Sequence, residues 1–340
     1  MIKELMLWIA EKLRGAGRRI VAGMRWLWRR AAAALGGVAG STWRKLVLGL
    51  PVAFVLYILI GMPIAHRIDD TLDMAPEPVG GGAHVVAMTA RLVERETRDH
   101  NWLPNDPMIL PGWWLDNTPN FQRGMMGALS RFVFELRDQL GRRRGSSAED
   151  ADLEQAAGNL SKEADRWIIN FSTSLLPTTP ADSYYREAAR QLRAYNARLG
   201  KGDAVFDRRA DNLLATLDRV ALDLGSSSAA LDEYIAGHGG GFLPDTGADD
   251  LFYRTKGQVY AYTMVLKALK KDFREILEDR DLVQLFDELI ASLSAAARLD
   301  PLVVTNGAVA GVLANHLAMQ GFYLLRARTQ MREVTNVLLK

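Results

Sequence analysis

Cysteine is absent from all 340 residues. Its absence excludes disulfides, thiolate nucleophiles and Cys-ligated zinc together, and it leaves stability to packing alone. Sustained period-two alternation bounded by hairpin signals is also missing, so little or no sheet is expected. Phosphate-loop chemistry lacks its context. Gly237, His238, Gly239, Gly240 and Gly241 have no strand before them and no Lys-Ser/Thr after them, and the stretch reads as a helix C-cap and turn. No metal site and no cofactor are expected. Glu94, Glu96 and His100 include an i, i+4 pair, yet they lack the H-E-x-x-H order of a zinc protease and read as a solvated helix face.

The absence that organises the chain is one of charge. Residues 46–65, LVLGLPVAFVLYILIGMPIA, carry none between Lys45 and Arg67. At about 1.5 Å rise per residue, a helix of that length crosses a hydrocarbon core of roughly 30 Å, so the run reads as one transmembrane helix. The 45 residues ahead of it, its length and the lack of an A-x-A site behind it argue against a cleaved signal peptide. Residues 1–45 hold ten Lys/Arg against two Glu, a net of +8, while the remainder holds 32 basic against 38 acidic residues, a net of −6. Basic residues flanking a span stay inside, which places the N-terminus in the cytoplasm and the main domain in the periplasm of a bacterial inner membrane.

Before the span, Ile2, Leu5, Ile9, Leu13, Ile20, Met24 and Leu27 fall near a helical period, with basic residues on the other faces. This reads as a basic amphipathic helix on an anionic bilayer. Trp8, Trp26 and Trp28 would sit at headgroup level and Arg18, Arg19, Arg25, Arg29 and Arg30 would face the lipid charge. A helix packed on another protein is the alternative; the apolar stripe and tryptophans disfavour nucleic acid. Residues 66–82, with three Asp, one Glu, two Pro and three Gly, read as a linker.

From residue 83 onward the periodicity is helical, and an all-α bundle is expected, with helices near 83–100, 120–141, 147–174, 180–199, 204–224, 228–237, 248–277, 280–299 and 302–338. Thr118 before Pro119 and Thr179 before Pro180 are expected N-caps. Two internal echoes point to a duplicated helical unit, 83–225 and 226–340, joined near Gly225 to Ser228. Trp102-Leu103-Pro104 resembles Phe242-Leu243-Pro244, and Glu149-Asp150-Ala151-Asp152-Leu153 resembles Glu278-Asp279-Arg280-Asp281-Leu282. Chance among helix starts is the competing reading. Residues 301–325 carry no charged side chain; a buried core helix is expected there rather than a second span, because Asn306, Asn315, His316 and Gln320 would fall at mid-depth.

The densest unusual stretch is residues 101–120, NWLPNDPMILPGWWLDNTPN, with four Pro, three Trp and four Asn between two helices. Prolines stiffen it and Asn and Asp close its turns, so it can present Trp102, Trp113, Trp114, Asp116 and Asn117 to a partner. The alternative is that the rings cover the end of the bundle. Asp106 and Asp116, with His100 nearby in sequence, are the acid/base candidates for an enzyme.

At W-L-P-N-D-P (residues 102–107), L-D-N-T-P-N-F-Q-R-G (residues 115–124) and the single span, the chain resembles the proteobacterial family catalogued as domain of unknown function family 2333, over most of its length after Arg44. The resemblance implies an envelope protein of Gram-negative bacteria and transfers no catalytic residues. The function expected is a non-enzymatic, membrane-anchored periplasmic scaffold or partner-binding subunit of an envelope assembly. The alternative is an envelope hydrolase acting on peptidoglycan or lipid. Expected partners are the anionic bilayer, other envelope proteins and, as an alternative, further copies of the chain.

Overall fold

The computed structural model describes residues 41–141, 149–169, 176–238, 245–301, 303–307 and 314–340, with the backbone alone at 41–46, 48 and 79. The proposed membrane-surface residues Trp8, Arg18, Arg19, Arg25, Trp26, Trp28, Arg29 and Arg30 lie outside these, as does Phe242-Leu243-Pro244 of the repeat. The described residues form ten α-helices and no strand. They are α1 (Ser41–Ala65), α2 (His84–Glu94), α3 (Asn117–Glu135), α4 (Ala151–Leu160), α5 (Ala181–Lys201), α6 (Ala210–His238), α7 (Thr246–Asp272), α8 (Arg274–Asp279), α9 (Val283–Ala297) and α10 (His316–Leu338).

Two compact units divide the chain, residues 1–60 and 61–340. In the first, α1 exposes Leu50, Val52, Phe54, Val55, Leu56, Tyr57, Leu59 and Ile60, while Ile58 is buried. Among the described residues no helix is long and apolar enough to cross a membrane.

The second unit is built around α7, whose residues 255–266 are all buried, including Lys256, Gln258 and Tyr260. A helix wrapped on all sides is a central helix, and α7 is flanked by α2, α3, α6, α9 and α10. Its closest neighbour is α3, and two glycines set that approach. A Cβ on Gly124 would lie 1.9 Å from the Arg254 carbonyl oxygen, and one on Gly257 would lie 1.9 Å from that of Phe121. Each helix therefore rests its backbone on the other's missing side chain. One apolar core runs through both halves, joining Val86, Phe132, Leu192, Tyr260, Phe286 and Met331.

Several expectations need correction. The linker 66–82 is a strap bound to the bundle: Asp69 faces Arg95 (3.6 Å), Asp70 faces Lys256 (2.8 Å), the Thr71 carbonyl accepts from Tyr260 (2.9 Å) and Leu72 is buried. Residues 225–228, the expected joint between units, lie inside α6, where Ser227 Oγ reaches Gln258 on α7 (2.5 Å). The helix expected over 147–174 ends at Leu160, and beyond it the Ala164 and Arg166 carbonyls accept from Trp102 and Asn105 (both 3.0 Å). Neither a core helix nor a span occupies 301–325 from its start. Asn306 and Asn315 form an isolated antiparallel bridge, and the Asn315 side chain caps α10 through Ala318 N (2.8 Å). The expected caps are displaced as well, to Asp116 and Pro180, with Thr118 buried in the first turn of α3.

Candidate functional site

The loop between α2 and α3 is rigid. Its inner side is held by Trp102, whose Nε1 donates to Ala164 and whose ring meets Tyr185 edge-on at 5.0 Å, and by Leu103 N donating to Gln122 Oε1 (3.0 Å). Its outer part closes on itself: Leu110 N donates to the Pro107 carbonyl (2.9 Å), a 3₁₀ turn spans Pro111–Trp113, and Trp114 Nε1 donates to the Met108 carbonyl (3.0 Å). Turned outward are Met108, Ile109, Trp113, Trp114 and Leu115, with Trp113 and Trp114 52% and 45% exposed and edge-on to each other. The tryptophans thus separate into two roles. Trp102, expected at the contact surface, is 5% exposed and belongs to the core.

Beside this face lies a cleft of about 340 Å³, lined by Asp106, Trp113, Asp116, Arg123, Asp165 and Trp167 among others. Asp106 is pushed up to about 6 by burial and by the nearby Asp182 carboxylate. Asp116 is exposed at the mouth of α3 and stands with Asp249 and Asp250 from the start of α7. Burial, then the charges of Asp116 and Asp250, push Asp249 up to about 6. Asn117 and Asn120 relieve the cluster. With its amide nitrogen turned toward the acids, Asn117 donates to Asp116 (3.2 Å) and Asp249 (2.6 Å), and Asn120 Nδ2 donates to Asp250 (2.6 Å). His100 does not line this cleft.

His100 belongs to a buried polar network, and the solvated face expected for Glu94, Glu96 and His100 is corrected accordingly. After α2 the chain makes one wide π turn, Arg95–Asp99, which tips its charged residues inward. Arg95, 2% exposed, donates through Nε to Glu96 (2.8 Å) and through a terminal nitrogen to Tyr260 Oη (2.7 Å). Gln122 Nε2 donates to the other Glu96 oxygen (3.0 Å), and His100 Nδ1 stands 3.3 Å from Glu96. Burial opposes the Glu96 charge, but His100, Arg95 and Gln122 outweigh it and hold this carboxyl below its usual range. Glu96 in turn raises His100. Glu94 binds Arg193. Sequence reading missed Arg95, Gln122 and Lys256; the available signal was a cation on the apolar stripe, Lys256 between Phe252, Val259 and Tyr260.

The strap carries the loop's position back to α1. A Cβ on Gly61 would come within 2.4 Å of Pro111 Cγ, so the proline ring seats on the bare backbone of the last turn of α1. His66, its pKa lowered by burial, lies against the backbone of Pro111 and Gly112. No group of His, Asp and Glu able to hold a metal ion occurs among the described residues.

At matching stringency no curated protein and no solved structure resembles the chain. A family model covers residues 72–238 and 244–340, the loop and cleft included, and the chain therefore belongs to the bacterial family described as "Uncharacterized protein conserved in bacteria (DUF2333)".

Proposed function

We propose that this chain is a binding protein of the bacterial envelope, anchored in the inner membrane by residues 46–65, with a cytoplasmic N-terminus and a periplasmic helical bundle. The observation that carries the reading is the outward face of the loop: five apolar side chains presented on a frame whose own hydrogen bonds keep it from folding inward. Its order before binding lowers the entropy lost in contact. The anchor is supported by the uncharged run and by the exposed apolar faces of α1, and the orientation by the +8 segment ahead of it. The contact surface is Trp113 and Trp114 with Met108, Ile109 and Leu115; Asp116 and Asn117 form its polar edge.

Crosslinking in intact cells tests the reading. Trp113→Ala with Trp114→Ala should remove adducts formed through the loop while the thermal melt of the chain stays put. A melt lowered as far as a core truncation lowers it would make the rings structural and end the reading.

One observation favours an enzyme as the second reading. Asp106 and Asp116 line the same cleft, and their surroundings differ, one half-buried with its proton held to about 6 and the other exposed. Such a pair can divide acid and base roles. Asp106→Asn should abolish the cellular phenotype with folding and loop adducts intact if this reading holds, and should be silent if the chain only binds.

A further inference from the structure

We propose that residues 107–115 seat in the periplasmic headgroup region of the same membrane that holds α1, so that the bundle is docked on the bilayer at two points. The proposal deepens the anchored binding reading and rests on it, because it names lipid as what the loop contacts.

Position argues first. Pro111 lies on Gly61 and His66 lies on the Pro111 and Gly112 backbone, so the loop is fixed at the end of α1, where a span leaves the hydrocarbon. The strap keeps it there. Asp69 faces Arg95 and Asp70 faces Lys256, both buried in the bundle, so a strap that swung free would take one carboxylate from each cation, leaving Arg95 to Glu96 and Lys256 to the exposed Asp300. Gly61 is itself part of the run proposed to span, so Pro111 rests on a residue at the bundle-proximal end of that run.

Chemistry argues second. Two edge-on tryptophans, Met108, Ile109 and Leu115 are the residue types that partition to the boundary of headgroup and acyl chain, indole N–H and ring each finding its medium. Trp167, lining the same cleft, continues into exposed Ile168 and Ile169 and widens the apolar face. The charged groups next to the loop, Asp106, Asp116 and Asp165, are mainly acidic, with Arg123 bonded to Asp165 (2.8 Å). Attraction to anionic lipid is thus no part of this contact. It is apolar and insensitive to salt, in contrast to the contact expected of the +8 segment.

The cysteine-free chain makes the test direct. Three full-length variants, Ile109→Cys, Phe54→Cys and Asp203→Cys, are labelled with an environment-sensitive fluorophore. They are reconstituted in phosphatidylethanolamine/phosphatidylglycerol vesicles with and without lipid spin-labelled near the headgroup. The Ile109 probe should be blue-shifted relative to Asp203 and quenched several-fold more strongly by the spin-labelled lipid, at low and at physiological salt alike. Emission and quenching at Ile109 equal to Asp203, with quenching by aqueous iodide, would overturn the lipid seat. Should the Phe54 probe be in lipid while that at Ile109 is in water, only the seat fails and the anchor stands. Should both be in water, anchor and seat fail together. A crosslink from Ile109 to a protein in intact cells, with no lipid quenching, also overturns the seat and assigns the loop to a protein partner.

Discussion

Residues 94–100 and 107–115 are near neighbours in the chain, yet each is arranged in the manner usual for the other. The first turns Glu94, Arg95 and Glu96 inward; the second turns Met108, Ile109, Trp113, Trp114 and Leu115 outward. Burying an ion costs several kcal/mol unless it is paired and hydrogen-bonded, and leaving two tryptophans half exposed forgoes on the order of 5 kcal/mol of burial. The network meets its cost inside the molecule: every charged member faces an opposite charge or donor, two of them supplied by the strap. Among the described residues nothing covers the outer side of the loop, so the free energy it withholds from folding is available for contact.

The sharpest way to break the comparison is to remove a buried charge. Arg95→Met strands Glu96 in the core and should cost about 3–5 kcal/mol in denaturant unfolding of the detergent-solubilised chain. Adding Glu96→Gln should recover part of that loss, the signature of coupled partners. Equal losses in the single and double variants would mean that the network is not an ion pair.

The frame on which both segments hang is the α3 and α7 crossing, and two glycines one turn apart in α3 report on it. Gly124→Ala drives a methyl into the Arg254 carbonyl and should cost roughly 1–3 kcal/mol. At Gly127 nothing lies within 4 Å, and Gly127→Ala should gain up to about 1 kcal/mol of helix propensity. Equal effects would contradict the close crossing.

A smaller effect separates the two kinds of carboxyl. Asp106 and Asp249 are held at about 6, above their ordinary 3.8, so the fold favours their protonated forms. Their contribution is complete below about pH 4 and is lost as the pH rises through about 6. Asp106→Asn and Asp249→Asn should therefore gain on the wild type at pH 7 and match it at pH 4, each by less than about 1 kcal/mol because both groups are half exposed. Glu96 runs the other way: held low, it stabilises above its unfolded value and loses that contribution as the pH falls through its depressed one. Smallest of all should be the folding effect of Trp113→Ala with Trp114→Ala, within about 0.5 kcal/mol as for surface positions.

The all-helical fold was legible because apolar residues at three and four spacings dominate the chain after residue 83, and a peculiar loop at 101–120 was legible from its Pro, Trp and Asn content. What the loop does with each tryptophan was not. Trp102 and Trp113 carry the same ring, and only the Ala164 carbonyl and Tyr185, far away in sequence, make one of them core. The strap read as a linker because two of its partners lie nearly 190 residues on, Lys256 for Asp70 and Tyr260 for the Thr71 carbonyl. Likewise the Gly225, Ser226, Ser227 and Ser228 run looked like a joint, while packing beside Gln258 and Arg328 keeps it helical. Glu96 read as solvated because a π turn, which no periodicity announces, rotates it inward.

We propose that residues 46–65 span the membrane with the bundle outside and the N-terminus inside. Labelling by a membrane-impermeant maleimide tests it most directly, because the chain has no cysteine of its own. In intact spheroplasts, Asp203→Cys should be labelled at once, and Lys12→Cys only after lysis. Labelling of Lys12→Cys with Asp203→Cys protected would reverse the orientation, and protection of both until lysis would contradict an outward bundle altogether.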